Sequence, residues 1–324
     1  MNNRLWRSFA SRVGLGQVAQ RSSTGTREPA PPLLDEATLR QLTRMRIESG
    51  RSFTEWLGGE RPGQRAMHAL EFEDYRSYTA GDDFRLIDWN AYARLGDLFV
   101  KTSVAEEAMS IEFLIDCSRS MDWGSPRKKV RYAEQLAAAL GALALLHGDR
   151  VRVVGLGDGD AVVGAPLYGL GDLTTLTAEL EALPVRATTD LAGSVDAFRS
   201  MAAPYGAIVV LSDLLAPLSA VETLDLLVSQ GRDVFVIHII DLAEAEPTLH
   251  GSIELRDRET GVTTVRAITP AVRQQYRARF LERTEAIAAR LAEGNVLYIP
   301  ASTTLAPIDV IRGELQRAGM AAST

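Results

Sequence analysis

Ile111-Glu112-Phe113-Leu114-Ile115-Asp116-Cys117-Ser118-Arg119-Ser120-Met121 is the stretch on which the reading of the chain turns. Its first half is an apolar run with β-branched residues, the composition of a strand buried on both faces. Its second half is Asp-x-Ser-x-Ser, a carboxylate and two hydroxyls spaced two apart where the strand runs out. In extended backbone, alternate residues face the same side. Asp116, Ser118 and Ser120 therefore present three oxygens together, while Cys117 turns the other way, toward the core. One negative charge and two neutral oxygens suit a hard divalent cation that keeps several waters, as Mg²⁺ does. The competing reading is bland: ordinary polar caps of a helix that follows a strand.

Working outward, strands and helices alternate. Ala207-Ile208-Val209-Val210-Leu211-Ser212-Asp213 is a second buried strand ending in a carboxylate, and Asp233 to Ile240 is a third apolar run. Val151 to Leu156 and Ala161 to Leu167 flank Gly157-Asp158-Gly159-Asp160, read as a hairpin-like turn. Asp-x-Asp there lacks the Glu that closes a calcium loop, so the turn reading is preferred. Leu98 to Val104 reads as an edge strand, and Val296 to Ile299 as the last. Ser125-Pro126 opens a helix running toward His147, stopped by Gly148. Further helices are expected over Asp35–Glu48, Asp172–Leu183, Ala192–Met201, Val221–Gln230 and Pro307–Ala318. A charged hairpin spans Ile253 to Ile268. Thr269-Pro270 then opens a long helix ended by Gly294, with Val272, Tyr276, Phe280, Ile287 and Leu291 as its buried stripe. Such alternation predicts an α/β fold, a doubly wound and mainly parallel sheet whose ligands lie outside the carboxyl ends of the strands. Neither Gly-x-Gly-x-x-Gly nor a Walker A sequence occurs, so dinucleotide and ATP binding are not indicated.

The Asp-x-Ser-x-Ser stretch resembles the metal-ion-dependent adhesion site of von Willebrand factor A domains. The resemblance implies two further oxygens, in this order along the chain. One is a threonine just before an x-Leu pair, matched by Thr189 in Thr188-Thr189-Asp190-Leu191; the other is an aspartate, matched by Asp213. It implies Mg²⁺ or Mn²⁺ held by Ser118, Ser120 and Thr189 directly or through water, with Asp116 and Asp213 mostly one layer further out. An acidic side chain from a partner protein would complete the shell.

A second resemblance lies upstream. Arg76, Tyr78, Gly81, Asp82, Asp83, Arg85, Ile87, Asp88, Trp89, Ala93, Arg94, Val100 and Lys101 stand at the spacing of a long bacterial signature. The chain resembles the DUF58 family there, from about Phe53 to Leu315, although Ala80 stands where Pro is frequent. That family carries a von Willebrand A-like domain after the signature, and the resemblance implies a MoxR-type AAA+ ATPase as partner. Read from residues alone, Glu71 to Lys101 alternates charges of both signs with aromatics. Arg76, Arg85 and Arg94 can fork onto Asp82, Asp83 or Asp88, so a salt-bridged connector is preferred over a docking element. Its aromatics are too apolar to leave in water together, which predicts an extension packed on the α/β domain.

The organisation expected is therefore residues 1–34 as a basic tail and Pro-rich linker, 35–105 as the extension with the signature, and 106–318 as the von Willebrand A-like domain. Met1 to Arg27 holds five arginines and no acidic residue. Leu5, Trp6, Phe9 and Val13 allow a surface-seeking helix, but the polar residues that follow favour a basic tail.

At 324 residues and 46% hydrophobic content the chain holds a large core, and its net charge of −7 argues against general nucleic-acid binding. One cysteine, Cys117, excludes a disulfide framework, and His68, His147, His238 and His250 show no ligand spacing. No apolar run reaches the roughly 18 to 20 residues a membrane helix needs. Ala-rich Leu136 to Leu146 is better read as a core helix, and the cytoplasm is the expected location.

Three functions compete. The first is a non-enzymatic, Mg²⁺-dependent protein-binding module: a cation with few directly bound carboxylates keeps positive charge and attracts an acidic partner. The second is a metal-dependent phosphohydrolase, which needs more converging carboxylates than Asp116 and Asp213; the hydroxyl-rich set favours the module. The third is a scaffold whose metal site stays empty.

Overall fold

The computed structural model describes residues 32–49, 74–77, 98–102, 109–125, 127–188, 190–202, 206–257 and 261–315. The chain forms two compact units, Glu60–Ala108 on the one hand and Met1–Gly59 with Met109–Thr324 on the other. In the smaller unit Asp74–Ser77 pairs antiparallel with Phe99–Thr102, Asp74 opposite Thr102. The strand expected over Leu98–Val104 is thus a partner of the signature stretch and not an edge of the main sheet. Most of the signature, residues 78–97, lies outside the described residues. So do its expected ion pairs and packing, and the tail Met1–Arg27.

The larger unit is built on a sheet that has seven strands among the described residues: β1 Ser110–Asp116, β2 Arg150–Gly157, β3 Asp160–Val163, β4 Leu167–Tyr168, β5 Ala207–Ser212, β6 Asp233–Ile240 and, last in the chain, β9 Leu297–Ser302. The order is β9-β6-β5-β1-β2-β3, with β4 also paired to β2. β1, β2, β5, β6 and β9 are parallel; β3 and β4 run antiparallel to β2. This is the doubly wound order that reverses direction between its first and third parallel strands, β1 and β5, which makes the gap beyond their carboxyl ends the ligand crevice.

Burial on both faces explains the unbroken apolar reading of β1. Ile111, Phe113, Ile115 and Cys117 enter the core on one side, and Leu114 enters the other. Glu112, on the same side as Leu114, is buried and ion-paired to Arg152, so its charge is compensated. Helix α1 (Glu36–Ser49) is capped by Asp35, whose Oδ1 accepts from the Thr38 N–H at 2.7 Å, and it sends Leu42 into the first core. Helix α2 (Lys129–His147) fills that core with Leu136, Ala137, Leu140, Leu143 and Ala144, all buried, as a core helix should. It starts at Lys129, later than Ser125-Pro126 suggested, with no side-chain cap; Gly148 ends it at φ +88°. Helices α3 (Leu173–Glu181) and α4 (Leu191–Arg199) follow; Val221–Gln230, expected as one helix, is broken into single turns.

Between β6 and α5 (Pro270–Glu293) the chain inserts a two-stranded hairpin, β7 Gly251–Arg256 with β8 Thr263–Ile268. It springs from the carboxyl end of β6, the same end of the sheet as the crevice. Helix α5 is capped by Thr269 as expected. Its buried stripe is shorter than expected. Ile287 and Leu291 are buried with Thr284 and Ala288, but Val272 and Tyr276 are 41% and 43% exposed, because the first half of the helix outruns the core.

Candidate metal centre

Asp116 closes β1 and is 2% exposed. Both its oxygens accept from neutral donors: Oδ1 from the Ser118 N–H at 3.0 Å, Oδ2 from the Ser212 hydroxyl at 2.6 Å. Burial, then the charge of Asp213, raises its pKa to about 6. Ser118 and Ser120 stand side by side, their hydroxyl oxygens 2.9 Å apart. The backbone alternation that groups these three oxygens also sends Cys117 inward, where burial pushes its thiol up to about 12. It is an inert core residue, not a nucleophile.

Asp213 leaves β5 next to β1, which brings it to the same crevice. The chain then turns through Leu214, buried with φ +51°, a conformation that costs a non-glycine residue about 1 kcal/mol or more. Three contacts hold the turn. Ser212 Oγ accepts from the Leu214 N–H at 3.0 Å, and Arg283 donates to the Leu214 and Ala216 carbonyls at 2.7 and 2.6 Å. The Asp213 carbonyl lies 2.9 Å from His238 Nε2, and His238 Nδ1 lies 2.7 Å from the Tyr298 hydroxyl. Burial lowers the His238 pKa to about 4, so the ring is neutral. A carbonyl only accepts, so Nε2 carries the proton and Nδ1 accepts from tyrosine.

The Asp213 carboxylate meets a full charge. Lys129, at the first position of α2 and wholly buried, donates to Asp213 Oδ2 at 2.7 Å and to Glu244 Oε1 at 2.5 Å. Its ammonium also lies 5.8 Å from the ring centre of Trp123. Burial works against its proton, but Asp213 and Glu244 outweigh burial and hold its pKa above the ordinary lysine value. Glu244 sits in a single helical turn, Leu242–Ala245, just past β6, and its own pKa is raised by burial.

Of the five residues expected to bind metal, the structure brings Asp116, Ser118 and Ser120 into hydrogen-bonded contact and places Asp213 at the neighbouring strand end. Thr189 lies outside the described residues. Its neighbour Thr188 is committed elsewhere, donating through N–H and hydroxyl to Asp158 Oδ1 at 2.8 and 3.1 Å. Asp158 belongs to the turn between β2 and β3, at φ +54° with Gly159 at +76°, so that segment is a turn that fastens a loop. Among the described residues no three His, Cys, Asp or Glu side chains form a metal-binding group. Sequence reasoning missed Lys129, Ser212, Glu244 and Arg283. The only signal was a lysine at the start of a helix, where the dipole disfavours it.

The donor set fits a divalent cation. Two carboxylates, of Asp213 and Glu244, share one ammonium; Asp116 is held by neutral donors alone, and two hydroxyls adjoin it. A hard cation would supply the missing charge and use the hydroxyl oxygens.

A doubly wound α/β domain with an oxygen-rich crevice at its switch point defines the class. Residues 74–286 match the family described as "Protein of unknown function DUF58", and the chain belongs to it. It is 29% identical over 224 residues to the uncharacterized protein Rv1480 of Mycobacterium tuberculosis (strain ATCC 25618 / H37Rv), covering 68% of this chain and 70% of that one. The uncharacterized protein Mb1516 of Mycobacterium bovis matches to the same extent. Among solved structures it is similar to the conserved hypothetical protein BatB from Bacteroides thetaiotaomicron, with TM-score 0.42 and 17% identity over 67% of this chain and 99% of that one. A von Willebrand factor type A structure from Catenulispora acidiphila gives TM-score 0.32 and 14% identity over 66% and 42%. The fold itself is established by the strand order and register. Among the described residues no helix is long and apolar enough to cross a membrane.

Proposed function

We propose that the chain is a non-enzymatic, Mg²⁺- or Mn²⁺-dependent protein-binding module that captures an acidic side chain of a client protein. One observation carries this reading. Ser118 and Ser120 lie hydroxyl to hydroxyl beside Asp116, and the second carboxylate, Asp213, is already paired with Lys129. A divalent cation there meets one uncompensated carboxylate, keeps positive charge and draws one more anion. When bound, the metal supplies a Lewis-acidic seat for that anion. The protein's part is to hold the hydroxyls in place and keep Asp116 buried. The family resemblance adds a MoxR-type AAA+ ATPase as a second partner and protein assembly or maturation as the setting, in the cytoplasm.

The test is calorimetry with Mg²⁺ or Mn²⁺, and client capture with and without EDTA, on the wild type and on Ser118→Ala with Ser120→Ala. That double change removes two oxygens and leaves the net charge alone. Metal-dependent capture that the double variant loses supports the reading. Capture indifferent to both sinks it, and Mg²⁺-dependent phosphoester turnover abolished by Asp116→Ala replaces it with the hydrolase. A second reading, a scaffold with no bound metal, is favoured by Lys129, because an ammonium already serves part of the site.

A further inference from the structure

We infer that Lys129 is a resident cation of this centre, and that its ammonium, shared between Asp213 and Glu244, sets how strongly the centre takes a divalent ion. The inference deepens the metal-binding reading above and rests on it.

Three observations on one side chain support it. Lys129 is wholly buried, although lysine almost never is unless paired. It occupies the first position of α2, where the helix dipole favours negative charge and the first turn holds no acidic residue. Its nitrogen is within 2.7 Å of a carboxylate expected to serve the metal and 2.5 Å of one that is not. A lysine in such a place for packing alone would be better replaced by a hydrocarbon.

The arrangement has a direction. The ammonium binds Asp213 Oδ2, while Asp213 Oδ1 accepts from the Leu215 N–H at 3.2 Å. A divalent ion drawing on Asp213 must share that carboxylate with a positive charge, in surroundings that screen poorly. Glu244 works the other way: by holding the same ammonium it draws positive charge off Asp213. The two neighbours therefore act on the metal with opposite sign. A merely structural triad would not, since loss of any member would loosen the same loop.

The experiment is Mn²⁺ titration of the full chain by calorimetry, with thermal denaturation in EDTA and in Mn²⁺ to establish that each variant is folded. Lys129→Met should bind Mn²⁺ about tenfold tighter or more, since a like charge a few ångströms away is gone. Glu244→Gln keeps the Lys129–Asp213 pair and should bind several-fold more weakly. Weaker binding in both, or weaker binding in folded Lys129→Met, overturns the inference. Lys129→Met that folds only with Mn²⁺ present supports it, because the metal is then replacing the ammonium. A wild type that binds no Mn²⁺ defeats the metal-binding reading but still tests this one: binding gained in Lys129→Met upholds it, and none in a folded Lys129→Met defeats it.

Discussion

The two carboxylates at the crevice differ in what faces them. Asp116, at the end of β1, is held by an amide N–H and a hydroxyl, both neutral. Asp213, one strand away, is held by a buried ammonium that reaches it from α2. Both are almost fully buried. Two aspartates matched to one motif therefore need not carry the same charge burden: one has a built-in counter-ion, and the other is held by neutral donors alone.

Breaking the charged side should cost most. In EDTA, Lys129→Met leaves the buried Asp213 and the half-buried Glu244 without their partner, and loss of one member of a buried pair costs about 3–5 kcal/mol. Denaturant unfolding should show that loss for Lys129→Met. A cost below about 1 kcal/mol would mean that Asp213 does not depend on the ammonium, and the contrast would collapse.

The pH profile sharpens the neutral side. Asp116 titrates near 6 in the fold against an ordinary 3.8, so the folded state holds the extra proton between those values. Its contribution to stability therefore falls as pH rises through that window, by about 1.4 kcal/mol per unit, and levels off above it. His238 titrates near 4 against an ordinary 6.5, so there the unfolded state holds the proton and stability rises with pH at a similar slope. The two nearly cancel in the metal-free wild type. Asp116→Asn removes one of them, and its stability should climb from pH 4 to 6.5 more steeply than that of the wild type. Equal slopes, measured by unfolding at matched pH in EDTA, would place Asp116 in a solvated or compensated setting.

A smaller effect is expected from Ser212→Ala. It removes the hydroxyl from Asp116 Oδ2 and the acceptor of the Leu214 N–H, which should cost about 1–3 kcal/mol. The Asp116 pKa should rise further, because a donor to the charged form is lost. An unchanged or lower pKa, followed by carbon-detected NMR, would show that the hydroxyl does not hold Asp116. The smallest change is for Ser118→Ala with Ser120→Ala without metal, about 1 kcal/mol or less, since the two hydroxyls chiefly bond each other. A large loss would make them structural and weaken their assignment to the metal.

Much of this was legible in the sequence, and for local reasons. Apolar runs ending in Asp116 and Asp213 declare strands buried on both faces. Thr269-Pro270 and Gly148 mark helix ends because capping and positive φ are properties of one or two residues. Alternation alone grouped Asp116, Ser118 and Ser120 and turned Cys117 inward. The tertiary structure decided the rest. Val272 and Tyr276 keep helical spacing with Ile287 and Leu291, yet only the second pair is covered, and spacing does not say where the sheet ends. Lys129 lies 84 residues from Asp213 and 115 from Glu244, and the three meet because β5 lies beside β1 while the turn after β6 folds over the crevice. A motif announces the oxygens that come from one strand end. The charge opposite them arrives from other segments, and its partner is chosen by strand order, a property no local window of sequence contains.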